Sequence, residues 1–78
     1  MKRYVKEIAS DFRKDYEQKC KENPKILPAG FLRAVNEVEN KWGYGFLTNK
    51  DAVRTILDIW DACDEWVWKH AGESAIKL

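Results

Sequence analysis

The side chains able to do chemistry are few: one histidine, His70, two cysteines, Cys20 and Cys63, and a carboxylate run, Asp58, Asp61, Asp64 and Glu65. A cysteine nucleophile needs its imidazole base within hydrogen-bond reach. On one helix Cys63 and His70 share a face, but the seven-residue rise between them is about 10 Å. His70 instead suits a helix C-terminus, where the dipole favours a protonated imidazole. Zinc asks for Cys and His ligands at short spacings, and no such set occurs. The acidic run lacks the looped backbone that wraps calcium, so it reads as a solvated face. Gly43-x-Gly45 follows a helical pattern rather than a strand, lacks a third glycine and has no Gly-Lys-Ser/Thr sequel, which argues against a phosphate cradle. The expectation is a non-enzyme, with no catalytic residues, no metal and no cofactor.

These groups sit in a chain of 78 residues, 45% hydrophobic and 35% charged, with a net charge of +1. That length predicts one domain, residues 1–78. The composition is too apolar for disorder and too balanced in charge to wrap nucleic acid electrostatically. No apolar run is long enough to span a membrane. Lys6 and Glu7 interrupt the start that a signal peptide would need apolar, so the expected location is cytoplasmic. In a reducing compartment Cys20 and Cys63 are most simply two buried thiols. Four Trp, three Tyr and three Phe either build a small core economically or mark an interface.

The elements that must position these residues are helices. Tyr4, Ile8, Phe12, Tyr16 and Cys20 recur every four residues, with Val5 and Ala9 beside them, which predicts a helix over about residues 3–22. Pro24 ends it by disfavouring helix at Asn23. A second helix follows over about 29–42, with Pro28 suited to its first turn and Gly43 to its C-terminal cap. It places Phe31, Ala34, Val35, Val38 and Trp42 on one face. Residues 43–47 form a tight aromatic loop. Thr48 with Asp51 three residues on is an N-terminal cap, opening a third helix over about 49–70 that Gly72 stops. Residues 73–78 read as a frayed tail. The fold expected is an all-α, three-helix domain. Residues 1–25 carry eight Lys/Arg against five Asp/Glu, and residues 51–78 carry three against six. That complementarity predicts long first and third helices packed side by side, antiparallel, with the second bracing them.

In the third helix Val53, Ile56, Ile59, Trp60, Cys63 and Val67 define a core face. Trp66 lies about 100° to one side of Val67 and Trp68 about 100° to the other, so both cannot enter one narrow core. Leu57, Asp61, Asp64 and Trp68 form a row at spacings of four, three and four. An aliphatic and a Trp flanking two carboxylates have the composition of a binding hot spot with a polar rim. The alternative is that Trp68 covers the connector between the first two helices, or the tail.

Leu27-Pro28, a helix ending in Trp42-Gly43-Tyr44, and then Thr48-Asn49-Lys50-Asp51-Ala52-Val53-Arg54 resemble the ribbon-helix-helix DNA-binding family over residues 27–57. In that family a strand ends in Leu-Pro, and a second helix opens with Ser/Thr-x-x-Glu/Asp-Ala-Ile/Val-Arg. The resemblance implies a dimer with a strand from each subunit in the major groove, and phosphate contacts from Thr48, Asn49 and Lys50. Lys25 and the basic flank Lys6, Arg13 and Lys14 would assist. The segment before Leu27 departs from the pattern, because Pro24 stands where the strand should run.

Two functions follow. The leading expectation is a non-catalytic helical protein-interaction module, in the manner of a small phage or mobile-element regulator or inhibitor of a host protein, binding through Leu57, Asp61, Asp64 and Trp68. A variant of it has the acidic helix mimicking phosphates in a partner's groove. The alternative is a dimeric ribbon-helix-helix-like transcriptional regulator. A homodimer with a purely structural role comes third.

Overall fold

The computed structural model describes residues 4–23 and 27–76, with side chains through residue 70. Three helices follow in order: α1 (Val5–Glu22), α2 (Gly30–Gly43) and α3 (Asn49–Ile76). No strand occurs among the described residues. The all-α, three-helix expectation therefore holds.

The direction of packing differs from the expectation. Phe12 and Asp15 of α1 meet Trp60 of α3, and Lys19 meets Asp64 one turn further along both helices. α1 and α3 are therefore parallel, not antiparallel. Charge complementarity favours neighbours without fixing their direction. The two connectors fix it, because each reverses the chain, and two reversals return α3 to the heading of α1. α2 runs against both, with Arg13 bonded to Asn36 and Glu39, and Phe31 against Trp66.

The core is built at one helical face per element. Val5, Ile8, Ala9, Phe12 and Tyr16 from α1, Val35 and Val38 from α2, and Ala52, Ile56 and Cys63 from α3 are buried. Phe12 is its centre. The ring meets Trp60 edge-on at 5.8 Å and Tyr16 at 6.0 Å, geometries that the aromatic quadrupole favours. Two expected stripe members depart. Tyr4 precedes the first helical turn and is exposed, while Cys20 near the end of α1 is only half-buried. Ala52 takes a fully buried place, since a small side chain lets the helices approach.

The connectors also shift by a residue or two. Pro28 lies outside α2 rather than in its first turn, and its carbonyl accepts the Tyr16 hydroxyl at 3.1 Å. Gly43 is the last residue of α2, and the left-handed position belongs to Gly45, at φ 85°. Phe46 N–H donates to Lys41 C=O at 2.8 Å and Gly45 N–H to Trp42 C=O at 3.1 Å. That pair of bonds is a Schellman closure, which needs a residue at positive φ two places beyond Gly43. The Thr48 cap forms as expected, its Oγ1 accepting Asp51 N–H at 3.1 Å. α3 does not stop at Gly72 but continues to Ile76, so residues 73–76 of the expected tail are helical, and 77–78 lie outside the described residues. A lone glycine costs only about 1 kcal/mol against alanine in a helix, and no proline follows it.

Candidate functional site

The row predicted on α3 lies on its outer flank. Leu57 is 44% exposed and Trp68 77%, and both carboxylates between them face solvent. α3 turns its Ala52, Ile56 and Cys63 face to the core, and the row lies to one side of that face. One member is engaged: Asp64 accepts from Lys19 at 2.6 Å. Lys19 also binds Asp15, and that acceptor pair sets its proton affinity. Burial pulls the ammonium down, but the hydrogen bonds to Asp15 and Asp64 outweigh it and leave the pKa raised. Asp61 makes no ion pair among the described residues.

The other tryptophan behaves differently. Trp66 meets Phe31 of α2 edge-on at 6.3 Å and stacks on His70 at 4.1 Å. The two tryptophans are thus divided, one tied to the bundle and one facing out. His70 does not cap a helix end, since α3 runs six residues further. Its Nδ1 lies 2.8 Å from the carbonyl of Trp66.

The residues implied by the family resemblance sit at the start of α3, with Lys25 outside the described residues. Thr48, Asn49 and Lys50 are exposed. Thr48 Oγ1 is engaged by the helix cap, and Asn49 Oδ1 accepts the indole N–H of Trp42. Arg13, assigned to a basic flank, is clamped to Asn36 and Glu39 of α2.

The Cys63 thiol lacks the surroundings of a nucleophile. Both cysteines are free, Cys63 buried and Cys20 half-buried. Burial pushes the Cys63 thiol up to about 11, and the Asp64 and Asp15 carboxylates add to this against the opposing Lys19. A thiol held protonated is a poor nucleophile. No group of His, Cys, Asp and Glu suited to a metal ion occurs among the described residues. A cleft of about 370 Å³ between α1 and α2 is lined by Arg13, Tyr16, Glu17, Cys20, Leu32 and Asn36.

Sequence reasoning missed a second exposed feature. Tyr44 and Phe46 project from the α2–α3 loop, Phe46 with 78% of its surface exposed. The signal was the glycine register. A left-handed Gly45 rather than Gly43 turns the following residue outward, and composition alone cannot separate the two. The chain matches no protein-family model, no curated protein and no solved structure.

Proposed function

We propose that this protein is a non-catalytic helical interaction module that docks a protein through the outer flank of α3. The observation that carries this is Trp68, 77% exposed on the same row as Leu57, Asp61 and Asp64. A large aromatic left in water is the usual anchor of a binding hot spot, and carboxylates beside it form the polar rim. On this reading it is a regulator or inhibitor of a host protein, of the kind carried by phages and mobile elements and acting in the cytoplasm. No helix among the described residues is long and apolar enough to cross a membrane.

The test is a photo-crosslinking amino acid placed at Trp68 or Asp61 in cells, with Arg33 on α2 as an exposed control. Adducts from the α3 positions and none from Arg33 are expected. Equal labelling at all three, or none, sinks the proposal.

A ribbon-helix-helix-like DNA-binding role keeps one supporting observation: residues 30–57 supply the helix–turn–helix hairpin it requires. Tight duplex binding by the wild-type chain that falls steeply with salt, and weakens in the Asn49→Ala/Lys50→Ala variant, would reverse the ranking.

A further inference from the structure

We propose that the occupant of the α3 row is a second copy of this chain, lying antiparallel across Leu57; this rests on the reading of that row as an interface. Lys50, Arg54, Leu57, Asp61, Asp64 and Trp68 recur at alternating spacings of four and three, and all six are exposed. That alternation is the seam by which one helix meets another. α3 already meets α1 and α2 through the face of Ala52, Ile56 and Cys63, so this is a second seam beside it, touched from α1 by Lys19 at Asp64.

Charge along the seam selects the occupant. Its N-terminal part carries Lys50 and Arg54, and beyond Leu57 come Asp58, Asp61, Asp64 and Glu65. Lys50, Arg54, Asp58, Asp61 and Glu65 make no ion pair among the described residues. A parallel copy would set carboxylate against carboxylate. An antiparallel copy sets Arg54 beside Asp61 and Lys50 beside Asp64 and Glu65, twice over by symmetry. The apolar residues obey the same two-fold. Trp68 stands eleven residues beyond Leu57, and the exposed Phe46 lies in the loop that leads into α3 ahead of it. Rotation about Leu57 therefore brings each exposed Trp68 to the N-terminal end of the other copy's α3, the end from which the Phe46 loop projects. Both exposed aromatics gain a partner, Leu57 meets its own copy at the centre, and polar seam positions fix the register. One helix flank offers less than the roughly 800 Å² per partner of a standard stable interface, so the dimer forms and dissociates with concentration.

Sedimentation equilibrium of the full chain, up to millimolar concentration, is the measurement. A monomer–dimer equilibrium is expected, weakened at least about tenfold by Trp68→Ala, as for a hot-spot aromatic. Arg54→Glu or Asp61→Arg alone should also weaken it, and the Arg54→Glu/Asp61→Arg double variant should restore it. Circular dichroism melts of each variant establish that the monomer stays folded. In a Cys20→Ala background, mild oxidation should join two copies through Leu57→Cys and not through Trp68→Cys, whose two positions would stand about 33 Å apart. A wild type that remains monomeric, a double variant no better than its parents, or ready joining through Trp68→Cys overturns the inference. The first of these leaves the interaction-module reading intact if the Trp68 photo-adduct has the mass of another protein.

Discussion

Trp60 donates its indole N–H to Asp15 Oδ2 at 2.8 Å, joining α3 to α1 across 45 positions of sequence. The same oxygen accepts from Lys19, which reaches on to Asp64 at 2.6 Å. A single carboxylate thus sets the height at which the two parallel helices meet. Asp15→Ala leaves the indole and the ammonium without that acceptor and should cost about 1–3 kcal/mol. Asp15→Asn keeps an acceptor for the indole and should recover part of the loss. Thermal melts of the two variants decide, and an unchanged melting temperature for Asp15→Ala would show that the helices find their register without it.

Phe12 and Trp68 should respond in opposite ways to truncation. Phe12 is fully buried, and Phe12→Ala should cost about 3–5 kcal/mol. A domain of this length holds only about 4–12 kcal/mol in total, so much of the population would unfold at physiological temperature. Trp68→Ala removes a side chain already in water and should move stability by no more than about 0.5 kcal/mol. Denaturant titration of both variants is the check, and a large loss for Trp68→Ala would make it part of the core.

Gly45→Ala isolates a backbone cost. No atom lies within 4 Å of a Cβ built there, so the substitution meets no clash. The φ of 85° remains, and an L side chain in that region costs about 1–2 kcal/mol. Gly43→Ala, in a helical residue with equally open space, should be neutral or stabilising. Equal melting temperatures for the two variants would contradict the Schellman closure.

Stability should fall in alkali. Burial, then a hydrogen bond to Cys20, raises the Tyr16 phenol; burial lifts the Cys63 thiol to about 11; Lys19 is raised by its two carboxylates against the pull of burial. Each of these groups holds its proton more tightly folded than unfolded. Their contribution is complete below about pH 9, where an unfolded thiol begins to ionise, and is lost as pH climbs through about 11. Melting temperature against pH should decline over that window, and the Cys63→Ala variant should decline less. In thiol labelling Cys20 should react ahead of Cys63. Replacing both with Ala should lower stability by about a few kcal/mol at most and keep the fold, since neither forms a disulfide.

How much could be read from the chain alone depends on the range over which each signal acts. The four-residue rhythm from Ile8 to Tyr16 and the Thr48 cap are local, and both appear where the spacing puts them. The outward row on α3 was likewise legible, because a helix's angular period divides its own faces. Asp15 was not, since nothing near it in sequence announces that Trp60 will arrive from the third helix. The direction of α3 relative to α1 was also misread from charge, although counting chain reversals gives it. The helix end at Ile76 escaped because glycine is a weak stop without a proline or a cap behind it.

α3 outlasts its neighbours. The offset that pairs Asp15 with Trp60 and Lys19 with Asp64 carries Glu22, the last residue of α1, to the level of Val67. Beyond that level α3 continues to Ile76, along the longest dimension of the molecule, 48 Å against 24 and 16 Å. One unbroken ladder of amides therefore passes through two regimes of protection. Amides between Ala52 and Cys63 open only when the bundle does, so their exchange with deuterium should report the global free energy. Those from Ala71 onward open with the helix alone, a process of microseconds or less. An exchange profile read along α3 should fall from one plateau to the other within about a turn or two of Val67, the level at which α1 ends.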